Sequence, residues 1–185
     1  AVLLAAVLVC IMLPEKYLVQ AAGTVPPGSG MLQTAIDEAG SGDILLLESG
    51  DYTGPIVIPA GKSLTIQGPA SGTANITASG DATVTIQGTE PVYLKGVTIT
   101  KNGPRGAADS GVNVVQGVSP QLYFEESTIY AASYGINVSG GGGALLRDMV
   151  LQLNNSHILN PTISDYDTDV AISMNSRGIR LMDIG

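Results

Sequence analysis

Short apolar segments with alternating spacing recur between residues 43 and 181. In each segment two or three apolar residues occupy every second position, and a small or polar break follows, as at residues 64–66, 92–94 and 112–114. Alternation with a period of two is typical of β-strands. Many short strands with a single helical segment predict an all-β solenoid in which coils of strands stack on one another.

The middle of the chain indicates the length of one coil. Residues 112–114 match residues 136–138 at an offset of 24, with Asn113 facing Asn137. Residues 122–124 match residues 144–146, and residues 128–130 match residues 150–152, both at an offset of 22. The pair of segments 92–94 and 97–99 likewise matches 122–124 and 128–130. A coil of this length with three short strands predicts a three-faced parallel β-helix. These matches place Arg147 in the same turn as Lys95 and Glu125.

One segment, residues 31–39, has helical spacing. Its apolar face consists of Leu32, Ala35, Ile36 and Ala39. Ser29 is the expected N-cap and Gly40 the expected C-terminal stop. A helix placed before the first strand can cover the open end of a solenoid. Residues 49–52 are predicted to form a turn after that first strand, and we expect further coils after residue 185.

The first 13 residues are uncharged and strongly apolar. Their length suits the core of a signal peptide better than a membrane span. We therefore predict a signal peptide or membrane-targeting segment over residues 1–22 and a β-helix domain over residues 23–185. Cys10 is the only cysteine, so the domain contains no disulfide. These features predict a secreted or cell-surface protein, monomeric, with no membrane contact beyond the leader.

The chain is acidic, with 16 Asp and Glu against 8 Lys and Arg and a net charge of −8. This charge excludes a nucleic-acid partner, because few cations are available to neutralise a run of phosphates. It also disfavours an anionic membrane surface. An acidic polysaccharide would need a bridging cation or a local basic patch.

Several motifs together resemble the pectin-lyase-like superfamily of right-handed parallel β-helices. They are Leu32-Gln33 with Ala35, Ile36 and Ala39, Gly42-Asp43-Ile44-Leu45-Leu46-Leu47, Gly50-Asp51-Tyr52, Leu64-Thr65-Ile66-Gln67-Gly68, and Val92-Tyr93-Leu94-Lys95-Gly96-Val97-Thr98-Ile99. The resemblance implies a right-handed parallel β-helix with an N-terminal capping helix. It leaves the activity open, because this fold hosts lyases, hydrolases, esterases, epimerases and non-catalytic surface proteins.

The candidate chemistry is that of a polysaccharide lyase. The motifs of polygalacturonase-like hydrolases and of the esterases are absent from the sequence. A β-eliminating lyase needs a base, commonly Lys or Arg, and a cation beside the uronate carboxylate. Arg147 and Lys101 are candidate bases, with solvated charges as the alternative.

A possible metal site lies near the end of the chain. Asp165, Asp167 and Asp169 alternate along one segment and are candidate ligands for Ca²⁺, with a solvated acidic loop as the alternative. No other cofactor is indicated.

Asn113 and Asn137 are the candidate ligand-binding residues. Their apolar neighbours are expected to point inward, so both amides face outward on adjacent coils about 4.8 Å apart. Such amides can form a hydrogen-bonded ladder or bind sugar hydroxyls. Ala171 is the expected equivalent in the next coil. Two functions remain open: an exported polysaccharide-binding protein, lyase-like if catalytic, or a non-catalytic, adhesin-like structural β-helix.

Overall fold

The computed structural model describes residues 21–80, 82–102, 110–131, 134–140, 149–159 and 177–182. The strands are β1 Ala21–Val25, β2 Asp43–Leu47, β3 Gly50–Thr53, β4 Ile56–Ile58, β5 Leu64–Gln67, β6 Ala74–Ser79, β7 Ala82–Ile86, β8 Pro91–Lys95, β9 Val97–Asn102, β10 Ser110–Val114, β11 Gln121–Glu125, β12 Thr128–Tyr130, β13 Tyr134–Ser139, β14 Val150–Asn154, β15 His157–Leu159 and β16 Arg177–Met182. The helix α1 spans Met31–Glu38. It is too short to cross a membrane, and the described part of the chain has no other helix that could.

The strands form three parallel sheets. Sheet A has the order β1-β2-β5-β8-β11-β14, sheet B β15-β12-β9-β6-β3, and sheet C β16-β13-β10-β7-β4. From β2 onward the chain visits sheets A, B and C in turn, so each strand pairs with the strand three positions away. The prediction of an all-β parallel β-helix with an N-terminal helix is confirmed.

The core is a set of apolar columns, one or more from each sheet. Leu45, Ile66, Leu94 and Phe124 form one column, since each pairs with the next in parallel register and each is buried. Columns on sheets B and C contain Ile76, Ile99 and Ile129, and Val84, Val112 and Ile136. Branched aliphatic side chains suit this interior because like shapes stack tightly from coil to coil.

The predicted register between the third and fourth coils is right on sheets A and C and one residue out on sheet B, and the predicted register of the fifth coil is wrong. Asn113 pairs with Asn137, as predicted. Leu122, however, pairs with Leu151 rather than with residue 144, and Thr128 pairs with His157 rather than with residue 150. The apolar alternation at residues 151–153 resembles that at 144–146, and the pattern alone does not say which segment stacks on β11.

Two consequences follow for the corners of the coils. The corner after β11 stacks on the corner after β14, because Glu125 pairs with Asn154. The predicted placement of Arg147 in that stack is therefore wrong. Thr128 also pairs with Thr98 rather than with Val97, a shift of one residue from the predicted match.

The helix agrees with its predicted range to within one residue, and Leu32 and Ile36 are buried. Ser29 is not the N-cap: Gly30 occupies that position in the left-handed conformation, with a φ of 71°, and no side chain caps the helix. The predicted turn at residues 49–52 is also wrong in part, because Gly50–Thr53 is strand β3. Tyr52, whose ring is only 1% exposed, anchors this strand in the core.

The N-terminal end of the solenoid is closed on all three sheets. Strand β1 pairs with β2 and covers sheet A. The amides of Gly28 and Gly30 donate to the carbonyl oxygens of Asp51 and Thr53 on sheet B, both at 3.0 Å. On sheet C the Gln33 side chain replaces a strand. Its Oε1 accepts from the Val57 amide at 2.7 Å, and its Nε2 donates to the Val57 carbonyl oxygen at 3.2 Å. The first full coil is thereby covered on each sheet, and β1 is the outermost strand of sheet A.

Tyr52 connects β3 by hydrogen bonds to the backbone at the end of β1 and after β2. Its hydroxyl donates to the carbonyl oxygen of Val25 at 2.6 Å and lies 3.0 Å from that of Glu48. Burial raises the pKa of the Tyr52 phenol above its ordinary value of 10.0, and the nearby Glu48 carboxylate adds to the rise. The neutral phenol is therefore the form that the folded protein favours.

Replacing Gln33 tests the closure of sheet C. We expect Gln33→Ala to lower the free energy of unfolding by about 1–2 kcal/mol, because two part-buried backbone groups lose their partners. Urea unfolding followed by circular dichroism measures the change. Gln67→Ala is the matched control, since Gln67 is exposed on β5 and has no hydrogen bond within the described residues. Equal losses in the two variants would contradict this role.

Replacing Tyr52 tests its protonation state. A raised native pKa gives a contribution to stability that is complete below the unfolded pKa, near 10, and is lost as the pH rises through the folded pKa. We expect Tyr52→Phe to be less stable than the parent at neutral pH and to show a smaller decline above about pH 10. Thermal unfolding from pH 7 to pH 11 measures this, with Tyr130→Phe, a half-buried outward tyrosine, as control. Parallel profiles for parent and Tyr52→Phe would rule the contribution out.

Candidate carbohydrate-binding face

The outer surface of sheet C carries a polar row that follows the solenoid axis. Its register positions are Val57, Thr85, Asn113, Asn137 and Arg180, each paired with the next. The residues on either side of the two asparagines on these strands are buried: Val112, Val114, Ile136 and Val138. Alternation therefore turns Thr85 and both asparagines outward, where they are half-buried.

The two asparagines form the predicted amide ladder. Nδ2 of Asn137 donates to Oδ1 of Asn113 at 2.7 Å. The prediction that Ala171 follows Asn137 and ends the row is wrong, because the backbone partner of Asn137 in the next coil is Arg180. A cationic residue type rather than an apolar one therefore takes the next position in the row.

The ladder leaves hydrogen-bonding groups unused on the first two positions of the row. Within the described residues, the Nδ2 group of Asn113 and the hydroxyl of Thr85 have no partner. Thr85 and Asn113 are directly paired across neighbouring strands, so these groups lie on adjacent coils. Side-chain donors and hydroxyls that have no protein partner can form hydrogen bonds with the hydroxyl groups of a sugar.

A similar pair on sheet B shows that a ladder alone does not define a site. Nδ2 of Asn75 donates to Oδ1 of Asp51 at 2.9 Å, and Thr98 pairs with Asn75 on the next coil. There the acceptor is a carboxylate, and no Lys or Arg occupies the described part of the row, whose later members are Thr128 and His157. This row serves below as a matched control.

The structure does not bring the other predicted residues to this face. Lys101 lies at the end of β9 on sheet B, only 4% exposed, and its Nζ donates to the carbonyl oxygen of Asn102 at 2.6 Å. The candidate base Arg147 and the candidate Ca²⁺ ligands Asp165, Asp167 and Asp169 lie outside the described residues. Among the described residues no group of three His, Cys, Asp or Glu side chains is placed to hold a metal. A Ca²⁺ site thus stays a prediction.

Two contacts on the outside of sheet A are absent from the predictions made from the sequence. The rings of Tyr93 and Tyr123 stack with centroids 4.6 Å apart and an interplanar angle of 14°. Beside them, Nζ of Lys95 lies 3.0 Å from Oε2 of Glu125. Both pairs have an offset of 30 residues, which a search for equal tyrosines in matched segments would have found.

Comparison with known proteins supports the fold at a coarse level. No family model and no curated protein matches the chain. Among solved structures, a PL6 family alginate lyase, AlyGC, is similar, with a TM-score of 0.60 and 20% identity over 74% of this chain. A mutant of the same enzyme is similar with a TM-score of 0.58 and 17% identity over 86% of this chain. The chain spans 20% and 23% of those two chains. The protein has a parallel β-helix, the fold that it shares with these two structures.

Acidic substitutions test the ladder. We expect Asn113→Asp and Asn137→Asp each to change stability by less than about 0.5 kcal/mol, because one amide remains to donate to the new carboxylate. The double variant has no donor and two adjacent carboxylates, and we expect it to lose about 1–2 kcal/mol more than the sum of the singles at pH 7.

A double-mutant cycle at pH 7 and pH 4 measures this coupling. Protonation restores a donor, so the double variant should recover most of its stability at the lower pH. Strictly additive losses at both pH values would show that the two side chains do not interact.

Proposed function

We propose that this chain is the β-helix of an exported polysaccharide-binding protein, and that it binds its polymer along the outer face of sheet C. The observation that carries the proposal is the pair of unpartnered groups on adjacent coils, the Asn113 amide N–H and the Thr85 hydroxyl. The apolar segment over residues 1–13 supports export. The similarity of the fold to polysaccharide lyases agrees with a saccharide partner.

The polymer is of the uronate class. Arg180 follows Asn137 in register on β16, so a cationic residue type adjoins the amides in the row. A net charge of −8 otherwise repels polyanions, so a local cation, either this arginine or a bridging Ca²⁺, must offset the repulsion. The register of the row gives a polymer parallel to the solenoid axis one hydrogen-bonding position about every 4.8 Å.

A non-catalytic role is the second candidate. The burial of Lys101 on sheet B favours it, because that candidate base does not lie on the face that carries the unpartnered groups. In this second reading the β-helix is an adhesin-like or structural surface protein. If the protein is an enzyme, β-elimination on a uronate polymer is the reaction that we propose.

Binding to uronate polymers tests the role of sheet C. Titration of alginate and pectate oligosaccharides, with and without Ca²⁺, is compared between the parent and the variants Thr85→Val and Asn113→Leu. Each variant keeps the shape of the side chain and removes the unpartnered groups, so we expect affinity to fall about tenfold.

The matched controls come from sheet B. Thr98→Val and Asn75→Leu remove a hydroxyl and a side-chain amide from another pair of neighbouring coils and should leave the affinity unchanged. Equal losses on both sheets, or no binding of either polymer by the parent, would refute the assignment to sheet C. In the same samples, ultraviolet absorbance of the unsaturated product reports elimination. Binding without product on any uronate would remove the lyase and leave the non-catalytic role.

A further inference from the structure

Tyr93 and Tyr123 form an aromatic pair on the outer surface of sheet A, outside the hydrophobic core. They occupy the central outward positions of β8 and β11, between the buried residues Val92 and Leu94 on one strand and Leu122 and Phe124 on the other. Both rings are half-buried, and neither hydroxyl has a hydrogen bond within the described residues. The pair therefore offers ring surface together with free phenolic groups.

Each ring has one face that does not contact the other ring, and this outer face is directed along the solenoid axis toward the next coil. In register, Tyr93 is followed on one side by Thr65 of β5, and Tyr123 on the other by Gln152 of β14. Thr65 has a much smaller side chain than tyrosine, so it covers less of the outer ring face of Tyr93 than a third stacked ring would. A flat, weakly polar ring can continue the stack at that position.

Polar groups line the next outward row of the same strands. That row consists of Gln67, Lys95, Glu125 and Asn154 in register. Lys95 and Glu125 hold each other in an ion pair of 3.0 Å, while Gln67 is exposed and has no hydrogen bond within the described residues. An ion pair and an exposed amide thus lie beside the aromatic pair.

A depression of about 330 Å³ opens at the corner where this row ends. Its walls include Gln67, Lys95, Glu125 and Glu126. Glu126 adopts the left-handed conformation, with a φ of 50°, and shares its corner stack with the left-handed Gly96 and Asn155. Glycine and asparagine tolerate this conformation and glutamate does not, so the position carries a backbone cost. Glu126 nonetheless occupies this position, where it is exposed and lines the depression.

The charge of this surface differs from that of sheet C. Lys95 and Glu125 cancel, which leaves the single negative charge of Glu126 at the depression. A uronate polymer would be repelled here, whereas the hydroxyl pairs of a neutral sugar suit a carboxylate and an amide as acceptors. The C–H face of a pyranose ring, weakly positive, packs against the negative face of a tyrosine ring.

We propose that sheet A carries a second saccharide site, specific for a neutral sugar chain. In this site one sugar ring stacks on the outer face of Tyr93 above Thr65, and a neighbouring ring enters the depression, where Gln67 and Glu126 bind its hydroxyls. The site is separate from the face on sheet C and does not depend on the function proposed for it. A protein with both sites connects an anionic polymer on one face with a neutral glycan on another.

Tyrosine fluorescence provides a direct measurement, because the chain has seven Tyr and no Trp. The probes are neutral oligosaccharides of glucose, xylose and mannose, with oligomers of guluronate and galacturonate as the charged comparison. We expect at least one neutral oligosaccharide to change the emission with saturation and to compete with none of the uronates. If no neutral oligosaccharide binds, the proposal is wrong.

Variants separate stacking from other effects. Tyr93→Ser should weaken binding of the neutral sugar about tenfold, whereas Tyr93→Phe, which keeps the ring, should stay within about threefold of the parent. Glu126→Ala should weaken binding similarly, and Glu126→Gln, which keeps an acceptor, should weaken it less. Tyr130→Ser, on the outside of sheet B, is the matched control and should change nothing. Unchanged affinity in Tyr93→Ser would overturn the proposal.

Two further measurements keep the outcome interpretable. Circular dichroism verifies that each variant is folded, and Tyr93→Leu takes the place of Tyr93→Ser if the latter unfolds. The sheet C variants Thr85→Val and Asn113→Leu are titrated with the same neutral sugar. They should bind the neutral sugar like the parent. A wrong assignment of the uronate site and a wrong assignment of this site therefore give different results. Loss of neutral-sugar binding in the sheet C variants would place the site there and refute the assignment to sheet A.

Discussion

Parallel, in-register pairing between successive coils is the interaction on which the rest of this structure depends. Backbone hydrogen bonds place each strand directly on its equivalent in the previous coil, as Val112 lies on Val84 and Ile136 on Val112. Because side chains alternate, a shift of one residue would turn Val112 outward and bring Asn113 into the core. One register therefore determines both the apolar columns inside and the polar rows outside.

Stacking of this kind leaves a problem at the first coil, where backbone groups have no earlier coil to pair with. The protein closes each sheet in a different way: a strand on sheet A, two loop amides on sheet B and the amide side chain of Gln33 on sheet C. The helix lies over the same end and buries Leu32 and Ile36 against the core. The cap thus combines burial of apolar surface with satisfaction of the exposed strand edge.

Each outer face has a chemistry of its own, because the core constrains only every second residue. Sheet C carries amides and a hydroxyl next to the position of an arginine, and sheet A carries stacked tyrosines beside an ion pair. The core would be the same with other residues in these rows. This independence explains why the likeness to the lyase fold leaves the ligand open, and why the proposals rest on rows of named side chains.

The sequence alone determined most of the core strands, their inward faces and the stacking of Asn113 on Asn137, since period-two alternation and a repeat of 24 residues both appear in the local pattern. It did not show strand β3, whose residues it predicted as a turn. It did not determine which segments stack where coils differ in length. Residues 144–146 and 151–153 have the same alternation, and only the three-dimensional pairing shows that Leu151 lies on Leu122. For the same reason Arg180, rather than residue 171, follows Asn137, and Tyr93 meets Tyr123 across 30 residues. Alternation specifies the side of a strand on which a residue lies, but loop lengths decide its neighbour in the next coil, and that neighbour is a property of the tertiary structure.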